Sequence, residues 1–357
     1  MSALFEDSYV KWTDQQDVKL DGVVVSSRVR LARNLVNMPF PHMLNNETGE
    51  NCLKLIQEAQ KDSATDLADY QYYRMQDLSP LDRMILMEKH LLSPQFVEHV
   101  SPWQAFLSNE NGSLSVMVNE EDHIRLQCLL PGLQLQTCFE MVNSLDDQME
   151  EKLDYAFDER LGYLTACPTN VGTGIRASVM LHLPAIQQAG QINYVIKNVT
   201  QVGMAVRGLY GEGSEALGNL FQISNQVTLG QSEEDIYHYL HVLTLQLVEQ
   251  EKNLRQSLYH QRKNELCNQI MRAYGLLKYA HMMDAKEALS LLSDLRLGVD
   301  LGIMPDVPAD RISDLIVAIG AAHLQKQSSA AAGSNIQDIL RAKIIRERLS
   351  PYEEGGI

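Results

Sequence analysis

The segment VVVSSRVRLARNL, residues 23–35, joins a run of valines to a series of closely spaced arginines. This composition predicts a β-strand, in which the side chains of Arg28 and Arg30 point to the same face. Val29 and Leu31 then point to the opposite face, toward a core. Two guanidinium groups on one face repel each other unless an anion, such as a nucleoside triphosphate, lies between them. A solvated strand edge is the alternative interpretation of this segment taken alone.

The overall composition predicts a globular protein. The chain has 357 residues, 45% of them hydrophobic, and this length corresponds to about two domains. Its formal net charge of −16 argues against broad nucleic-acid binding, which uses a basic surface. The same charge makes a local cluster of arginines harder to attribute to background composition.

The cysteines and the apolar segments of the sequence indicate the cellular compartment of the protein. The 5 cysteines are widely spaced without a CxxC pair, which argues against disulfides and structural zinc and fits a reducing cytosol. The longest apolar run, LIVAIGAA at 315–322, is shorter than the ~18 residues that span a bilayer and predicts a buried helix. The first residues, MSALFEDSYVKW, lack the apolar stretch of a signal peptide. We therefore expect a cytoplasmic protein with no membrane segment.

The chain divides into a polar N-terminal lead-in over 1–22, a mixed domain over 23–255 and a helical domain over 256–357. The hydrophobic pattern predicts a helix over 141–157, and hairpin-like strands favour an α+β fold with a mainly antiparallel sheet and helices packed on one side. The predicted strands are SLSVMVN at 113–119, RASVMLHL at 176–183, GMAVRGLY at 203–210 and LFQISNQVTL at 220–229.

Capping patterns mark the helices of the last domain. Ser232, with an acid three residues later, predicts one helix start, and Asp284 predicts another, for a helix that Gly298 is expected to end. The small and polar stretch at 326–334 predicts a loop. Ser334 with Gln337 then forms the pattern of a capping box for the last helix.

Three further motifs place an arginine in a loop or at a strand end. VNEEDHIRLQC at 118–128 contains Arg125, CPTNVGTGIRAS at 167–178 contains Cys167 and Arg176, and VRGLYGEGSEALGN at 206–219 contains Arg207 and Glu212. The chain contains no GxxxxGK[ST] sequence and is therefore not a P-loop protein. It also lacks HRD and DFG, which excludes the fold of the common protein kinases.

Together the blocks SSRVRLARN, NEEDHIR, CPTNVGTGIRAS and RGLYGEGSE resemble, in order, the signature of the phosphagen (guanidino) kinase family, over residues 23 to about 230. The resemblance implies a phosphagen-kinase-like catalytic domain over 23–255, followed by the α-helical C-terminal domain. It implies ATP and Mg²⁺ as cofactors and a protein that holds no metal of its own. The implied catalytic residues are Glu121, Glu212 and Cys167. The implied ATP-binding residues are Ser26, Ser27, Arg28, Val29, Arg30, His90, Arg125, Arg176, Ala177, Ser178, Val179, Met180, Arg207, Gly208, Leu209, Tyr210, Gly211 and Glu212.

Elementary chemistry agrees with these roles. A guanidinium has a pKa above about 12, so two fixed carboxylates are needed to orient it and to accept its proton as the N–P bond forms. We expect Glu121 to be the base, Glu212 to clamp the guanidinium in a glycine-hinged loop, and Cys167 to act as an electrostatic contact. His123 and Arg33 are interpreted as structural residues instead.

Within that family the chain resembles the bacterial protein-arginine kinases, through EKHLLSP at 88–94, EEKLDYAF at 150–157 and SDLRLGVDLGI at 293–303. Family members that act on small guanidines carry a helical N-terminal domain before the SSRVR block, whereas 25 residues precede Ser26 here. We therefore expect an open acceptor site that admits an arginine on a protein. An acidic surface would favour encounter with basic partners.

This branch implies further partners and a second site. The implied partners are proteins with exposed arginines, a heat-shock repressor, a Clp ATPase and a zinc-binding activator, within stress response and protein quality control. The helical domain is a plausible homodimer surface. The family's phosphoarginine-binding motif RDxxRA reads QDILRA at 337–342, so Asp338 and Arg341 match but Gln337 replaces an arginine. Weak phosphoarginine feedback is therefore expected.

Two other functions remain as alternatives. A kinase for free arginine would use the same chemistry, and the missing N-terminal domain argues against it. A non-catalytic adaptor that binds phosphoarginine would not need Glu121, Cys167, Glu212 or the five arginines of the implied ATP site. The presence of these residues argues against an adaptor.

Overall fold

The computed structural model describes residues 3–6, 8–14, 22–63, 65–208, 216–328 and 333–350. The strands in these ranges are β1 Val24–Arg33, β2 Gln71–Arg74, β3 Ala105–Ser108, β4 Leu114–Val118, β5 Ile124–Pro131, β6 Phe157–Asp158, β7 Gly162–Tyr163, β8 Ile175–His182, β9 Met204–Gly208 and β10 Leu220–Asn225. The α-helices are α1 Ala3–Glu6, α2 Asn46–Lys61, α3 Pro80–Glu88, α4 Pro94–Glu98, α5 Leu135–Glu150, α6 Pro184–Gln188, α7 Ile192–Gln201, α8 Glu233–Gln261, α9 Lys263–Tyr279, α10 Ala285–Asp300, α11 Ala309–Ala318, α12 Ala321–Gln327 and α13 Ser334–Leu349.

Eight strands form one sheet in the order β2-β3-β4-β5-β1-β8-β10-β9. Each described ladder in it is antiparallel, and β1 lies near the middle between β5 and β8. Strands β6 and β7 form a separate hairpin. The predicted α+β fold with a mainly antiparallel sheet flanked by helices is confirmed.

The alternation along β1 separates a core face from a polar face. Val29 and Leu31 are fully buried in the largest hydrophobic cluster, which also contains residues of α2, α5, α7 and α8. Arg28 and Arg30 are half-buried on the other face. Because β1 is flanked by strands on both sides, these arginines stand over the middle of the sheet rather than at a solvated edge.

Helices cover parts of both faces, so the expectation of helices on one side is wrong. The N-terminal segment contributes to a second cluster with α3, α4 and α11, through Leu4, Phe5, Val10 and Trp12. Trp12 is 1% exposed, and its indole N–H donates to the Lys89 carbonyl at 3.1 Å. The polar character expected for the start of the chain is therefore wrong for this segment.

The predicted start of α8 is confirmed. The amide of Asp235 donates to Ser232 Oγ at 3.0 Å, and the amide of Ser232 donates back to Asp235 Oδ2 at 3.4 Å. This helix continues to Gln261, through the predicted boundary between 255 and 256, and that boundary stays a prediction.

The predicted cap of α10 at Asp284 is confirmed, because its Oδ1 accepts from the amide of Glu287 at 2.8 Å. The predicted end at Gly298 is wrong, since the helix continues to Asp300. A side chain at Gly298 would collide with Ile270 of α9, so this glycine serves close helix packing.

Three other boundaries differ from the sequence pattern. The helix predicted over 141–157 is α5, which runs over Leu135–Glu150, and Tyr155, beyond its end, forms a β-bridge with Leu35 instead. The last helix already includes Ser334, and its N-cap is Gly333, which does not fit the expected capping box. The apolar run at 315–322 is divided between α11 and α12 at Gly320. Among the residues that the structure describes, no helix is both long and apolar enough to cross a membrane.

Candidate active site

Five arginines from four sequence motifs line one cleft of about 680 Å³ on the polar face of the sheet. The strand register brings them together: Arg30 lies opposite Arg176 of β8, and Ala32 lies opposite Arg125 of β5. Facing residues of adjacent strands share a face, so the side chains converge. The arginines lining the cleft are Arg28, Arg30, Arg125, Arg176 and Arg207.

Most of this positive charge is unmatched. In the described ranges, no carboxylate forms an ion pair with Arg28, Arg30 or Arg176. Arg28 donates instead to neutral groups, to Gln222 Oε1 at 2.6 Å and to Ser178 Oγ at 3.4 Å. Burial, with the nearby charges of Arg176 and Arg125, lowers the pKa of Arg28 to about 10.

Arg30 and Arg176 are also buried near other positive charges. Burial and neighbouring arginines lower the pKa of both groups, that of Arg30 well below its ordinary value. The Nε atoms of both side chains are buried and have no hydrogen-bond partner in the described part of the chain. Donors in this state are the expected complement of an anionic ligand.

Arg125 differs, because two carboxylates contact it. Its Nη1 pairs with Glu120, and its Nη2 pairs with Glu121 Oε2 at 2.7 Å. The side chain of Glu121 is 40% exposed, whereas that of Glu120 is 4% exposed. Glu121 therefore combines contact with a guanidinium and access from the cleft.

Cys167 lines the same cleft as Glu121. Its Sγ is 3.0 Å from Thr169 Oγ1. The buried carboxylate of Asp122 supports this loop, since its Oδ1 accepts from the amide of Ala166 at 2.7 Å and from Asn34 Nδ2 at 2.6 Å. Asp122 is therefore a support for the cleft and not part of its lining.

His123 lies in the core. Its Nδ1 accepts from the amide of Leu35 at 3.0 Å, and its Nε2 is 2.8 Å from the carbonyl oxygen of Pro39. Both ring nitrogens are thus engaged with the backbone, as the structural interpretation of this residue expects.

His90 lies beside Arg28 and also lines the cleft. It has a φ of 61°, a left-handed conformation that costs energy for a residue other than glycine. Burial and the charge of Arg28 lower the pKa of His90 to about 4, so the ring is neutral at pH 7.

The strands turn only alternate residues of the predicted nucleotide site toward the cleft. Ser26, Ser178 and Met180 line a small extension of the cleft next to Arg28 and His90. The side chains on the opposite face, by contrast, pack in the core or bond to the backbone beneath it. These residues are Ser27, Val29, Ala177 and Val179.

The glycine-rich loop after β9 is described only at its start. Gly208 lines the cleft next to Arg207. Leu209, Tyr210, Gly211 and Glu212 lie outside the described residues.

Sequence reasoning missed two groups in the cleft. Gln222 of β10 lies opposite Arg207 and bonds Arg28, and the alternation of β10 would have placed it on the polar face. Glu88 lines the cleft from the end of α3, and its contacts with distant residues left no local sequence signal. Within the described residues, no group of three or more His, Cys, Asp or Glu side chains could hold a metal ion.

Comparison with known proteins identifies the family. Residues 51–254 match the model of the ATP:guanido phosphotransferase C-terminal catalytic domain, and residues 263–356 match the protein-arginine kinase McsB C-terminal domain. The chain is 49% identical to the protein-arginine kinase of Syntrophomonas wolfei, over 99% of each chain. It is 46% identical to that of Bacillus subtilis, over 96% of this chain and 94% of the relative.

The chain belongs to the protein-arginine kinase family. This kinase is a phosphotransferase that acts on arginine, and its family uses ATP as the phosphoryl donor and proteins as substrates. The predicted family and activity are confirmed.

Solved structures show the same fold for the kinase. Lombricine kinase matches with a TM-score of 0.59 and 25% identity, over 71% of this chain and 74% of that chain. The duplicated taurocyamine kinase from Schistosoma mansoni, with bound transition-state-analogue components, matches with a TM-score of 0.60 and 25% identity, over 70% of this chain and 35% of that chain.

The residues that match the phosphoarginine-binding motif lie in the helical domain of the kinase, away from the cleft. Arg341 is 3% exposed and bonds Asp338 Oδ1 at 2.6 Å, the Met283 carbonyl at 2.9 Å and the Ile319 carbonyl at 3.3 Å. Its guanidinium is thus already satisfied by internal acceptors.

Proposed function

We propose that the unmatched arginines of the cleft hold the triphosphate of ATP. The supporting observation is the convergence of Arg28 and Arg30 of β1 with Arg176 of β8 and Arg207 of β9, without a carboxylate ion-pair partner among the described residues. A triphosphate supplies the negative charge that these groups lack, and bonds between guanidinium and phosphate are the strong kind. Ser26, Ser178 and Met180 then line the nucleotide beside His90.

Mg²⁺ enters as part of the Mg·ATP substrate, where it neutralises charge on the phosphates. Oxygen is the ligand that Mg²⁺ prefers, and the phosphate oxygens and water would supply its ligands.

The acceptor arginine occupies the end of the cleft with Glu121 and Cys167. Glu121 orients the guanidinium and accepts its proton, while an acceptor nitrogen attacks the γ-phosphorus. The new N–P bond forms as the bond from that phosphorus to the β,γ-bridging oxygen breaks, and the electron pair leaves with ADP. Cys167 contributes an electrostatic contact, and Glu212 a second carboxylate from the loop after β9.

Arg125 links the two substrates. In the described state its charge is shared by Glu120 and Glu121. An incoming phosphate competes for this guanidinium and so releases Glu121 to bind the acceptor. This competition favours ATP binding before the acceptor.

The acidic composition suits basic protein substrates, since the net charge is −16 and opposite charges speed encounter. The resemblance adds a role in stress response, with a heat-shock repressor, a Clp ATPase and a zinc-binding activator as partners. The acidic composition and the cysteine usage support a cytoplasmic protein with no direct nucleic-acid binding, and the helical domain supports a homodimer. Asp338 and Arg341 are proposed to bind phosphoarginine, with an affinity lowered by Gln337 in place of the motif arginine.

The proposed roles can be tested by mass spectrometry under conditions that preserve N–P bonds. A basic protein and free arginine are each incubated with the full chain and Mg·ATP. Phosphoarginine is expected on the protein, and Glu121→Gln is expected to abolish it while the circular dichroism spectrum is unchanged. Lys326→Ala, a change on α12 outside the residues that line the cleft, is the control and should retain activity. Product on free arginine alone, or undiminished transfer by Glu121→Gln, would contradict the proposal.

A further inference from the structure

Three consecutive residues at the end of α3 connect three parts of the molecule. The first, Glu88, lines the cleft but directs its buried carboxylate into the helical domain. Its Oε1 accepts from the amide of Ala322 at 2.8 Å, and its Oε2 accepts from the amide of His323 at 3.1 Å. The Nδ1 atom of His323 lies 2.7 Å from the same Oε2. Glu88 thus caps the N-terminus of α12.

The second residue, Lys89, is fully buried and binds the N-terminal segment. Its Nζ donates to the carbonyl oxygens of Leu4 at 2.8 Å and Tyr9 at 3.0 Å, and its own carbonyl accepts from Trp12. The end of α3 is therefore held from two sides by segments that are distant in sequence.

The third residue, His90, lies in the cleft. Its ring centroid is 5.4 Å from that of Trp12, and its carbonyl accepts from Gln127 Nε2 at 3.0 Å. A left-handed backbone at a residue other than glycine is maintained only when the surrounding contacts hold it in place. The hydrogen bonds of Glu88 and Lys89 hold the backbone of His90 in this conformation.

Glycine at position 320 leaves room for this arrangement. A side chain there would overlap the carboxylate of Glu88. The φ of Gly320 is −60°, which any residue can adopt, so the backbone itself does not require glycine. The requirement for a small residue arises from the contact between α3 and α12.

We propose that Glu88 and His323 are positioning residues for nucleotide binding: α12 of the helical domain fixes the end of α3, so that His90 presents its ring to the nucleotide. The inference rests on the nucleotide role of His90 in the proposed function. It makes ATP affinity depend on a contact between the helical domain and the catalytic sheet.

The test measures the Kd for ATP by titration calorimetry on the full chain. Glu88→Ala and His323→Ala are expected to weaken ATP binding about tenfold, the effect of roughly 1.4 kcal/mol. Glu88→Gln keeps one acceptor and should fall between these variants and the wild type. The Kd for a basic acceptor protein should not change.

Gly320→Ala displaces the Glu88 carboxylate without altering either partner, and it should weaken ATP binding in the same way. Lys326→Ala is the matched control, because Lys326 forms the other ion pair between these helices, with Asp82 at 2.7 Å. Its Kd for ATP should equal that of the wild type.

A local readout uses the fluorescence of Trp12 in a Trp103→Phe background. ATP should change this fluorescence in the parent and in Lys326→Ala, and the change should shrink in Glu88→Ala and Gly320→Ala. A lower melting temperature with an unchanged Kd for ATP in these variants would assign the contact a structural role only and overturn the proposal.

His90→Asn separates the two hypotheses, because asparagine tolerates the left-handed backbone. An unchanged Kd for ATP in this variant would refute the nucleotide role of His90, and with it the basis of the inference. A raised Kd in His90→Asn with unchanged values in Glu88→Ala and Gly320→Ala would overturn the positioning role alone.

Discussion

Strand β1 carries two kinds of arginine within six residues. Arg33, at its end, is 1% exposed and fully matched: its Nη2 lies 2.6 Å from Asp146 Oδ2 and 3.6 Å from Glu233, and its guanidinium stacks on Tyr163 at 3.6 Å. Burial, the largest single influence, would lower the pKa of Arg33, but the charge and hydrogen bond of Asp146 together with Tyr163 and Glu233 outweigh it, and the pKa is raised.

Arg28 and Arg30 have the opposite electrostatics on the same strand. Burial and neighbouring arginines lower the pKa of both groups. Arg28 donates to neutral partners, and the Nε of Arg30 has no hydrogen-bond partner among the described residues. The difference shows that burial alone does not identify a binding arginine. On the proposed function, Arg33 with its carboxylate partner stabilises the fold, whereas Arg28 and Arg30, which have no carboxylate partner among the described residues, bind an anionic ligand.

The largest effect is expected from Arg30→Met. Phosphoryl transfer should fall by about 10³-fold, the scale of an arginine that stabilises a transferring phosphate. The free energy of unfolding without ATP should stay level or rise, because the substitution removes an unmatched charge. Steady-state kinetics and urea unfolding test both parts.

ATP protection provides the control for this variant. At about 100 times its Kd, ATP should stabilise the wild type by about 2.7 kcal/mol and leave Arg30→Met unaffected. Marked destabilisation of Arg30→Met without ATP would break the distinction drawn along β1.

Arg33→Met should give the reverse pattern. It leaves Asp146 buried without its partner, so the free energy of unfolding should fall by about 3–5 kcal/mol. ATP affinity of the folded fraction should be unchanged. The double variant Arg33→Met with Asp146→Asn should recover part of the loss, and a loss no smaller than that of the single variant would contradict the pairing.

The uncharged ring of His90 predicts that the stability of the folded chain depends on pH. Its pKa falls from an ordinary 6.5 to about 4 in the folded chain, so between these values the unfolded chain binds the extra proton. Stability is thus present above pH 6.5 and is lost as the pH falls toward 4.

The wild type should therefore lose up to about 3 kcal/mol relative to His90→Asn across this window. Urea unfolding of both proteins at several pH values measures the difference. Parallel curves for the two proteins would show that His90 does not titrate as described.

The smallest effect concerns Arg341, a buried arginine whose acceptors are mainly carbonyl oxygens. Because those acceptors compete with a ligand, the wild type should bind a phosphoarginine peptide weakly. Gln337→Arg adds a charged donor and should tighten binding about tenfold, or ~1.4 kcal/mol. Calorimetry measures this, and Gln337→Lys is the control for charge without the planar fork.

The sequence predicts those features of the structure that depend on interactions between residues close together in the chain. Alternation in β1 separates Arg28 and Arg30 from Val29 and Leu31, and the capping box at Ser232 marks the start of α8. These follow from strand geometry and from local hydrogen bonds.

Other features depend on tertiary packing and were missed. Gly298 looks like a helix end, but the approach of Ile270 explains it. The burial of Trp12 depends on Lys89, 77 residues away, and the role of Glu88 depends on residues more than 230 positions later. Such contacts leave no periodicity in the chain, so composition and spacing do not reveal them.

The contact of Glu88 with α12 also has a consequence for the order of synthesis. All the strands of the sheet have left the ribosome well before residue 322 is made. A nascent or truncated chain can therefore assemble the arginine-lined cleft while the end of α3 lacks its partner. On the positioning role proposed above, such a chain binds ATP about tenfold more weakly until α12 has been made and has packed against α3.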